Sequence, residues 1–258
     1  MLVSLLNRGW RLFGTAVSFS TFGVGAIIMT VTAFPLIRLI IRDDVARKRR
    51  TQMLIHWSFR LFVRLMRGMG VIDFDARDQS VLRNCRGKLI IANHPSLIDV
   101  VLIMSLMDRA QCVVKHQYWD SFLLGGVMRN AGYIRNDADG EEIIHQCRAS
   151  FERGENVILF PEGTRTVPGE PLKFQRGFAN VATRAPADVQ LVKITCSPTT
   201  LTKGEPWYDV PVRRPLFSVE VLKQLDIADY LGQEPPAVAA RKLTRDLEEY
   251  YGELLRYG

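Results

Sequence analysis

A histidine and an aspartate five residues apart, His94 and Asp99, form the pair in this chain best suited to acid–base chemistry. An apolar run at residues 89–92 precedes them and predicts a buried strand, which a polar turn ends. Because His94 precedes the expected helix, its ring can turn back toward Asp99 in the first turn. A carboxylate on one imidazole nitrogen fixes the tautomer and leaves the other nitrogen free to take a proton.

The same stretch also has a purely structural interpretation. Pro95 suits the first position of a helix, and residues 96–106 continue as an apolar helical pattern. Ser96 and Asp99 match a helix capping box, in which Asp99 would only bond backbone amides. No serine or cysteine is placed to serve as a nucleophile. If the pair is catalytic, the base therefore activates a hydroxyl of the substrate directly.

A second polar turn follows another apolar run, at residues 157–160, which Pro161 ends. Its members are Glu162, Gly163, Thr164 and Arg165. Gly163 permits close backbone approach, and Arg165 offers a planar fork that suits a phosphate group. A plain strand exit with a solvated arginine is the alternative for this turn taken alone.

Four motifs in order give the chain a family resemblance. They are HPSLID at 94–99, GYIR at 132–135, FPEGTR at 160–165 and LKFQRG at 172–177. Over residues 88–198 the chain resembles the glycerolipid acyltransferase family, the PlsC-like 1-acylglycerol-3-phosphate O-acyltransferases and their relatives. The resemblance implies transfer of a fatty acyl group from acyl-CoA or acyl-ACP to the free hydroxyl of lysophosphatidic acid. The product would be phosphatidic acid, in phospholipid biosynthesis.

The resemblance also implies roles for single residues. His94 would deprotonate the acceptor hydroxyl, and Asp99 would orient His94. Arg165 would hold the phosphate of the acceptor, and Glu162 would order that arginine or bond the glycerol. The remaining substrate-binding positions are Arg135, Gly163, Thr164, Lys173 and Gly177, the last at the start of a helix whose amides face the phosphate. We expect no metal and no cofactor beyond the acyl-CoA or acyl-ACP co-substrate.

Composition and charge are consistent with one large domain that carries an appendage. The 258 residues are 47% hydrophobic and 24% charged, which disfavours disorder. Alternating apolar and helical segments predict an α/β fold with a mixed central sheet flanked by helices. The net charge of +7 favours anionic partners, and a membrane-tethered nucleic-acid binder rests on this charge alone. The four cysteines are far apart and show neither metal-ligand spacing nor a disulfide framework.

The N-terminal region predicts membrane attachment. Residues 12–41 contain only one charged residue, Arg38, and residues 15–37 are long enough to span a bilayer. Gly23, Gly25 and Pro35 would allow bending, so a half-inserted hairpin is an alternative to a span. The basic cluster at 42–50 favours a catalytic domain on the cytosolic face of the inner membrane.

Residues 51–69 predict an interfacial helix, with Arg60, Arg64 and Arg67 at the level of the lipid headgroups. The alternative is a helix that packs on the domain and exposes its basic face to solvent. We therefore divide the chain into membrane-anchoring helices, 1–70, and an α/β acyltransferase domain, 71–258.

Two further segments and two alternative functions stay open. The Pro-rich stretch at 199–215 is a candidate acceptor-recognition element or a plain connector. Residues 118–128 are a candidate wall for an acyl chain or an ordinary part of the core. A related acyltransferase that uses another lyso-lipid acceptor fits the same motifs. A non-catalytic membrane lipid-binding protein would not need the His94 base. Acyl-chain preference, the choice of donor and oligomeric state are not encoded in any motif.

Overall fold

Within residues 2–185, 187–232 and 235–256, which the computed structural model describes, seven strands form one mixed sheet in the order β1-β7-β6-β2-β5-β3-β4. The strands are β1 (Asp73–Arg77), β2 (Leu89–Ala92), β3 (Ala110–Val114), β4 (Ile134–Arg135), β5 (Asn156–Leu159), β6 (Val189–Ser197) and β7 (Leu216–Leu225). Strands β6 and β7 are antiparallel, and the other neighbouring pairs are parallel. The predicted mixed α/β fold is confirmed.

Helices cover both faces of the sheet. The N-terminal helices are α1 (Leu2–Ile28), a π-helical turn (Met29–Ala33), α2 (Phe34–Ile40) and α3 (Asp44–Gly68). The helices between strands are α4 (Gln79–Asn84), α5 (Asp99–Met104), α6 (His116–Trp119), α7 (Gly125–Ala131), α8 (Gly140–Glu152) and α9 (Gly177–Arg184). The C-terminal helices are α10 (Ala228–Leu231) and α11 (Pro236–Arg256).

The central strand β2 is buried along its whole length, which explains its unbroken apolar sequence. A parallel strand covered by helices on both faces has no solvent side, so it does not alternate apolar and polar residues. On one face the core contains Phe62 and Met66 of α3 and Leu102 of α5. On the other face it contains Phe178 of α9 and Tyr251 of α11. Both cores hold the end of β2 in a fixed place.

The N-terminal helix is longer than the predicted span of residues 15–37. Helix α1, the π-helical turn and α2 follow one another without interruption from Leu2 to Ile40. Pro35 has no amide hydrogen to donate to the preceding turn, and the π-helical turn ends two residues before it, at Ala33. Residues Leu6–Ile40 are long and apolar enough to cross a membrane, with a mean hydropathy of 1.9 and 17% of the apolar window buried.

Helix α3 runs back along α1 and shares a core with the sheet. Phe59 and Phe62 of α3 contact Phe22 of α1, with ring centroids 5.9 and 5.0 Å apart. The predicted basic helix at 51–69 is therefore also a packing helix. Trp57 and Leu61 of α3 are exposed. The division of the chain at residue 70 stays a prediction.

The segment at 199–215 contains no helix or strand and lies between α1 and the turn after β2. Arg11 donates to the carbonyl of Pro211 at 3.0 Å. The rings of Phe19 and Trp207 meet edge to face, 6.4 Å apart. The amide of Leu97 donates to the carbonyl of Leu201 at 3.0 Å. We call residues 199–215 the bridging segment, because it contacts both the N-terminal helix and the polar turn.

Candidate active site

The polar turn after β2 is fixed by a side chain that the sequence analysis did not single out. Asn93 donates through its amide nitrogen to the carbonyl of Ile194 and accepts from the amide of Ile194, both at 2.8 Å. These two bonds attach the end of β2 to β6, 101 residues later. An asparagine directly before a candidate catalytic histidine was the only signal in the sequence. The attachment determines where His94 leaves the sheet.

The side chains of His94 and Asp99 contact each other, as predicted. Nδ1 of His94 lies 2.8 Å from Oδ2 of Asp99. The Asp99 side chain is fully buried, whereas the His94 side chain is 20% exposed. Within the described residues Nε2 of His94 has no hydrogen-bond partner. A buried carboxylate therefore orients the ring, and the second nitrogen is left to meet a ligand.

Asp99 also makes one contact of the capping-box interpretation, the bond from the Ser96 amide, but no capping box forms, because Ile98 precedes the helix and provides no side-chain cap. The Asp99 carboxylate accepts from the amide of Ser96 at 2.6 Å and from the hydroxyl of Ser96 at 2.5 Å. The helix, however, begins at Asp99 and ends at Met104. The prediction of a helix from Pro95 through residue 106 is therefore wrong. Residues 95–98 form a non-helical turn that folds around the Asp99 carboxylate, because three donors converge on it.

The turn after β5 supports His94 from the other side. The ring of Phe160 stacks on the imidazole of His94, with centroids 4.2 Å apart and planes 22° apart. The amide of His94 donates to Oε1 of Glu162 at 2.9 Å. Thr166 closes the arrangement, since its amide donates to the carbonyl of His94 at 2.7 Å and its hydroxyl to Oε1 of Glu162 at 2.9 Å. Phe160 and Thr166 were not predicted as site residues.

Glu162 thus contacts the histidine backbone rather than Arg165. It is 8% exposed. Burial raises the pKa of Glu162 above its ordinary value, and the hydrogen bonds from Thr166 and from the His94 amide oppose that rise. The predicted contact with an acceptor's glycerol stays a prediction.

Arg165 lies at the same edge of the sheet and is partly buried. Its Nη1 donates to the carbonyls of Leu201 and Thr202, at 3.0 and 2.8 Å. Nε and Nη2 of Arg165 have no recorded partner within the described part of the chain. The guanidinium therefore fastens the bridging segment with one nitrogen and presents its other donors for an anion. Its role as a phosphate ligand stays a prediction.

The remaining predicted binding positions differ in how close they lie to the polar turn after β5. Gly163 adopts φ of +65°, which glycine tolerates without strain, and Thr164 beside it is partly exposed. The amide of Gln175 donates to the carbonyl of Pro161 at 2.7 Å, which brings the loop with Lys173 alongside this turn. Lys173 itself is exposed, and Gly177 begins α9.

Arg135 is placed farther away. It ends β4, three strand spacings from β2, or roughly 14 Å across the sheet. Its guanidinium makes a two-point contact with Asp137, at 2.9 and 2.6 Å, and lies over the ring of Trp119 at 6.0 Å. The structure records no contact between Arg135 and the His94 turn within the described residues, and its substrate role stays a prediction.

The arrangement suits a base that acts on a hydroxyl brought by another molecule. The hydroxyl of Ser96 already donates to Asp99. Burial raises the pKa of the Cys196 thiol to about 12, so this thiol stays protonated near neutral pH. Neither group has the character of an activated nucleophile.

The chain belongs to the acyltransferase family, whose model matches residues 73–212. The matched region includes both polar turns and the bridging segment up to Val212. The predicted family resemblance is confirmed.

Several curated relatives are 1-acyl-sn-glycerol-3-phosphate acyltransferases. The protein from Cocos nucifera is 29% identical over 171 residues, which is 62% of this chain and 53% of that protein. One from Chlamydomonas reinhardtii is 32% identical over 112 residues, 41% of this chain and 32% of that protein. The human beta enzyme is 26% identical over 168 residues, 62% of this chain and 58% of that protein. The chain thus spans about a third to a little over half of the length of these relatives.

A solved structure shares the fold. The 1-acyl-sn-glycerophosphate (LPA) acyltransferase PlsC from Thermotoga maritima aligns with a TM-score of 0.66 and 18% sequence identity. The alignment covers 93% of this chain and 97% of that chain, so the likeness includes the N-terminal helices as well as the sheet.

Proposed function

We propose that this protein transfers a fatty acyl group from a thioester, acyl-CoA or acyl-ACP, to the free hydroxyl of lysophosphatidic acid, yielding phosphatidic acid for phospholipid biosynthesis. The observation that carries the proposal is the 2.8 Å contact between His94 and the buried Asp99 carboxylate, with Nε2 of His94 open. The names of the curated relatives support the choice of acceptor.

The proposed step balances without any further reagent. Nε2 of His94 takes the proton of the acceptor hydroxyl while that oxygen attacks the thioester carbonyl. The Asp99 carboxylate stabilises the imidazolium that forms. When the carbon–sulfur bond breaks, the imidazolium returns its proton to the leaving thiolate. The two substrates supply every atom that changes bonds.

The phosphate of the acceptor is assigned to the edge of the sheet next to His94. The Nε and Nη2 donors of Arg165, which have no partner among the described residues, support this assignment. The left-handed backbone of Gly163 also supports it, because it lets a ligand approach closely. Lys173 adds a cation on the neighbouring loop. Holding the phosphate and the thioester together would convert a bimolecular reaction into an effectively unimolecular one.

The test uses the full chain in detergent, with product measured by mass spectrometry. Acyl-CoA and acyl-ACP are each offered with lysophosphatidic acid and with lysophosphatidylcholine. We expect phosphatidic acid from the wild type, and a loss of at least a hundredfold for His94→Ala. Preferential acylation of the choline lipid would contradict the acceptor, and full turnover by a folded His94→Ala variant would contradict the base.

We further propose that the N-terminal helix lies along one leaflet of the inner membrane, on its cytosolic face, rather than crossing it. Residues from Arg11 to Phe34 contact the rest of the protein along the helix, and Thr15, Ser18 and Ala26 are buried. A helix that packs on the domain over this length could cross the bilayer only if the domain entered the hydrocarbon core as well, where its polar groups would lose their hydrogen bonds to water. This arrangement avoids a span, as the half-inserted hairpin would, but the helix makes no reversal at Gly23, Gly25 or Pro35.

Cysteines introduced at two exposed positions test this arrangement. Gly9→Cys and Arg42→Cys are reconstituted separately in vesicles and treated with a membrane-impermeant maleimide. A helix in one leaflet predicts that both positions react on the same side. Labelling from opposite sides would establish a span instead.

A further inference from the structure

A cationic cavity lies away from the candidate active site. It has a volume of 390 Å³ and is formed where α2, α3 and α7 meet. Its charged lining residues are Arg38, Arg47, Lys48, Arg129 and Asp44. Four cations therefore face one carboxylate. Thr51 and Asn130 add polar groups, and Phe34 supplies an apolar wall.

The cavity lies at the opposite edge of the sheet from His94. Lys48 pairs with Glu155 at 3.3 Å, and Glu155 directly precedes β5, whereas Glu162 follows that strand and contacts His94. The four residues of β5 separate the two edges by roughly 13 Å. A ligand in the cavity is therefore distinct from an acceptor bound at the polar turns.

The positive charge in the cavity is only partly neutralised from within. Arg47 pairs with Asp44, three residues earlier on the same helix. Arg129 donates to the carbonyl of Trp119 at 2.8 Å and has no carboxylate partner within the described residues. Arg38 takes part in no ion pair there either. Burial lowers the pKa of Lys48, because its pairing with Glu155 does not fully compensate the lost solvation. An added anion would complete this arrangement.

The surroundings of the cavity suit the binding of a lipid better than that of a free ion. Leu36, Leu39 and Ile40 of α2 are exposed beside it, and Leu39 is 79% exposed. Such a surface can take acyl chains while the cations hold the headgroup. Gly132 in the wall adopts φ of +69°, and a Cβ there would lie 2.5 Å from Cε of Lys48. Only glycine leaves the lysine stem in this position.

We propose that this cavity binds the phosphate of an anionic phospholipid that is neither the acyl acceptor nor the product of the proposed reaction. The shared chemistry is a phosphate group, and the exposed apolar surface of α2 favours a lipid as its source. Such a lipid would hold the junction of α2 and α3 against the membrane. The proposal does not depend on the proposed acyl transfer.

The test measures retained lipid by native mass spectrometry of the full chain released from neutral detergent micelles. Phosphatidylglycerol is the probe, since it is neither substrate nor product of the proposed transfer. The double variant Arg38→Gln/Arg47→Gln is compared with Arg49→Gln/Arg50→Gln, which removes the same charge from exposed positions of α3 that do not line the cavity. The two double variants therefore lose the same non-specific electrostatic attraction to anionic lipid.

We expect the first double variant to lose phosphatidylglycerol affinity at least tenfold and the second less than twofold, with unchanged melting temperatures. Phosphatidylcholine should bind at least tenfold more weakly to the wild type. Equal losses in the two double variants would overturn the site. Displacement of the lipid by millimolar inorganic phosphate would overturn the lipid as its ligand.

Discussion

The Asp99 carboxylate accepts three hydrogen bonds, two from Ser96 and one from the His94 ring. It therefore shapes the turn and orients the His94 ring, the proposed base, with the same two oxygens. The structural and the catalytic interpretation of the motif are therefore compatible with each other. A variant that keeps the shape of the side chain but loses its charge separates the two roles.

For Asp99→Asn we expect the amide oxygen still to accept from the Ser96 amide, so the turn should persist. The imidazolium would lose its counter-charge and the tautomer its fixed orientation, and kcat should fall on the order of 10³-fold. The acceptor KM should change less than threefold. Steady-state kinetics and a thermal melt are the measurements. A comparable loss of kcat with a large fall in melting temperature would show a mainly structural role.

Glu162→Gln tests the buried carboxylate below the His94 turn. The pKa of Glu162 is raised in the folded state, so protonation of this group stabilises the folded wild type relative to its unfolded state. This stabilisation is lost as pH rises through the raised pKa. Glutamine keeps an oxygen for the His94 amide and the Thr166 hydroxyl. We expect the stability of the variant relative to wild type to increase between pH 4 and 7.

Denaturation of both proteins across this pH range, in detergent, measures that difference. A difference that stays constant with pH would show that burial does not raise this pKa.

At the scale of elements, the bridging segment joins the polar turns to the N-terminal helix. Arg165 and Leu97 hold its start through Leu201, and Arg11 and Phe19 of α1 hold its later part through Pro211 and Trp207. From the sequence, Arg165 was expected to bind a phosphate or to be solvated, and residues 199–215 to form a recognition loop or a plain connector. The structure makes them one unit.

Arg165→Lys tests this unit because it keeps the charge and loses the fork. A single ammonium group cannot both hold the Leu201 and Thr202 carbonyls and present two donors to a phosphate. We expect the acceptor KM to rise about tenfold and the bridging segment to be cut faster by protease. Arg213→Lys, at an exposed position of the same segment, is the control and should change neither. If the Arg165→Lys variant is cut at the same rate as the wild type, Arg165 does not hold the bridging segment in place.

At the scale of the whole molecule, α1 is both a core helix and an apolar surface. Its inner side includes Thr15, Ser18 and Ala26, which are buried, while Val24 and Ile28 are exposed. Removing residues 1–69 would also remove Phe59, Phe62 and Met66 of α3 from the core. A truncation would therefore confuse loss of the anchor with loss of the fold, and a single exposed substitution is the better test.

Val24→Glu places a charge on the proposed lipid-facing side of α1. We expect association with phospholipid vesicles to fall roughly tenfold, because a charged side chain enters the lipid only at a large free-energy penalty. Val81→Glu makes the same change at an exposed position of α4. This control should bind vesicles like the wild type in a flotation assay. Equal binding by all three proteins would place the membrane contact elsewhere.

The sequence by itself determined the local chemistry of this protein. Apolar runs at 89–92 and 157–160, each followed by a polar turn, predicted β2, β5 and the His94–Asp99 pair, because strand, turn and pair depend on residues within a few positions of one another. The long apolar stretch predicted the N-terminal helix for the same reason. The helix start at Asp99 was missed, because three donors converging on one carboxylate outweigh the local preference of Pro95.

Only the tertiary structure decided which distant residues meet. Sheet order brings β6 beside β2 and so lets Asn93 fasten the turn to Ile194. The packing of the bridging segment gives Arg165 its carbonyl partners, and the meeting of α2, α3 and α7 forms the cationic cavity. These contacts join residues dozens of positions apart. They follow from the burial of whole faces against one another, which no local pattern of residues encodes.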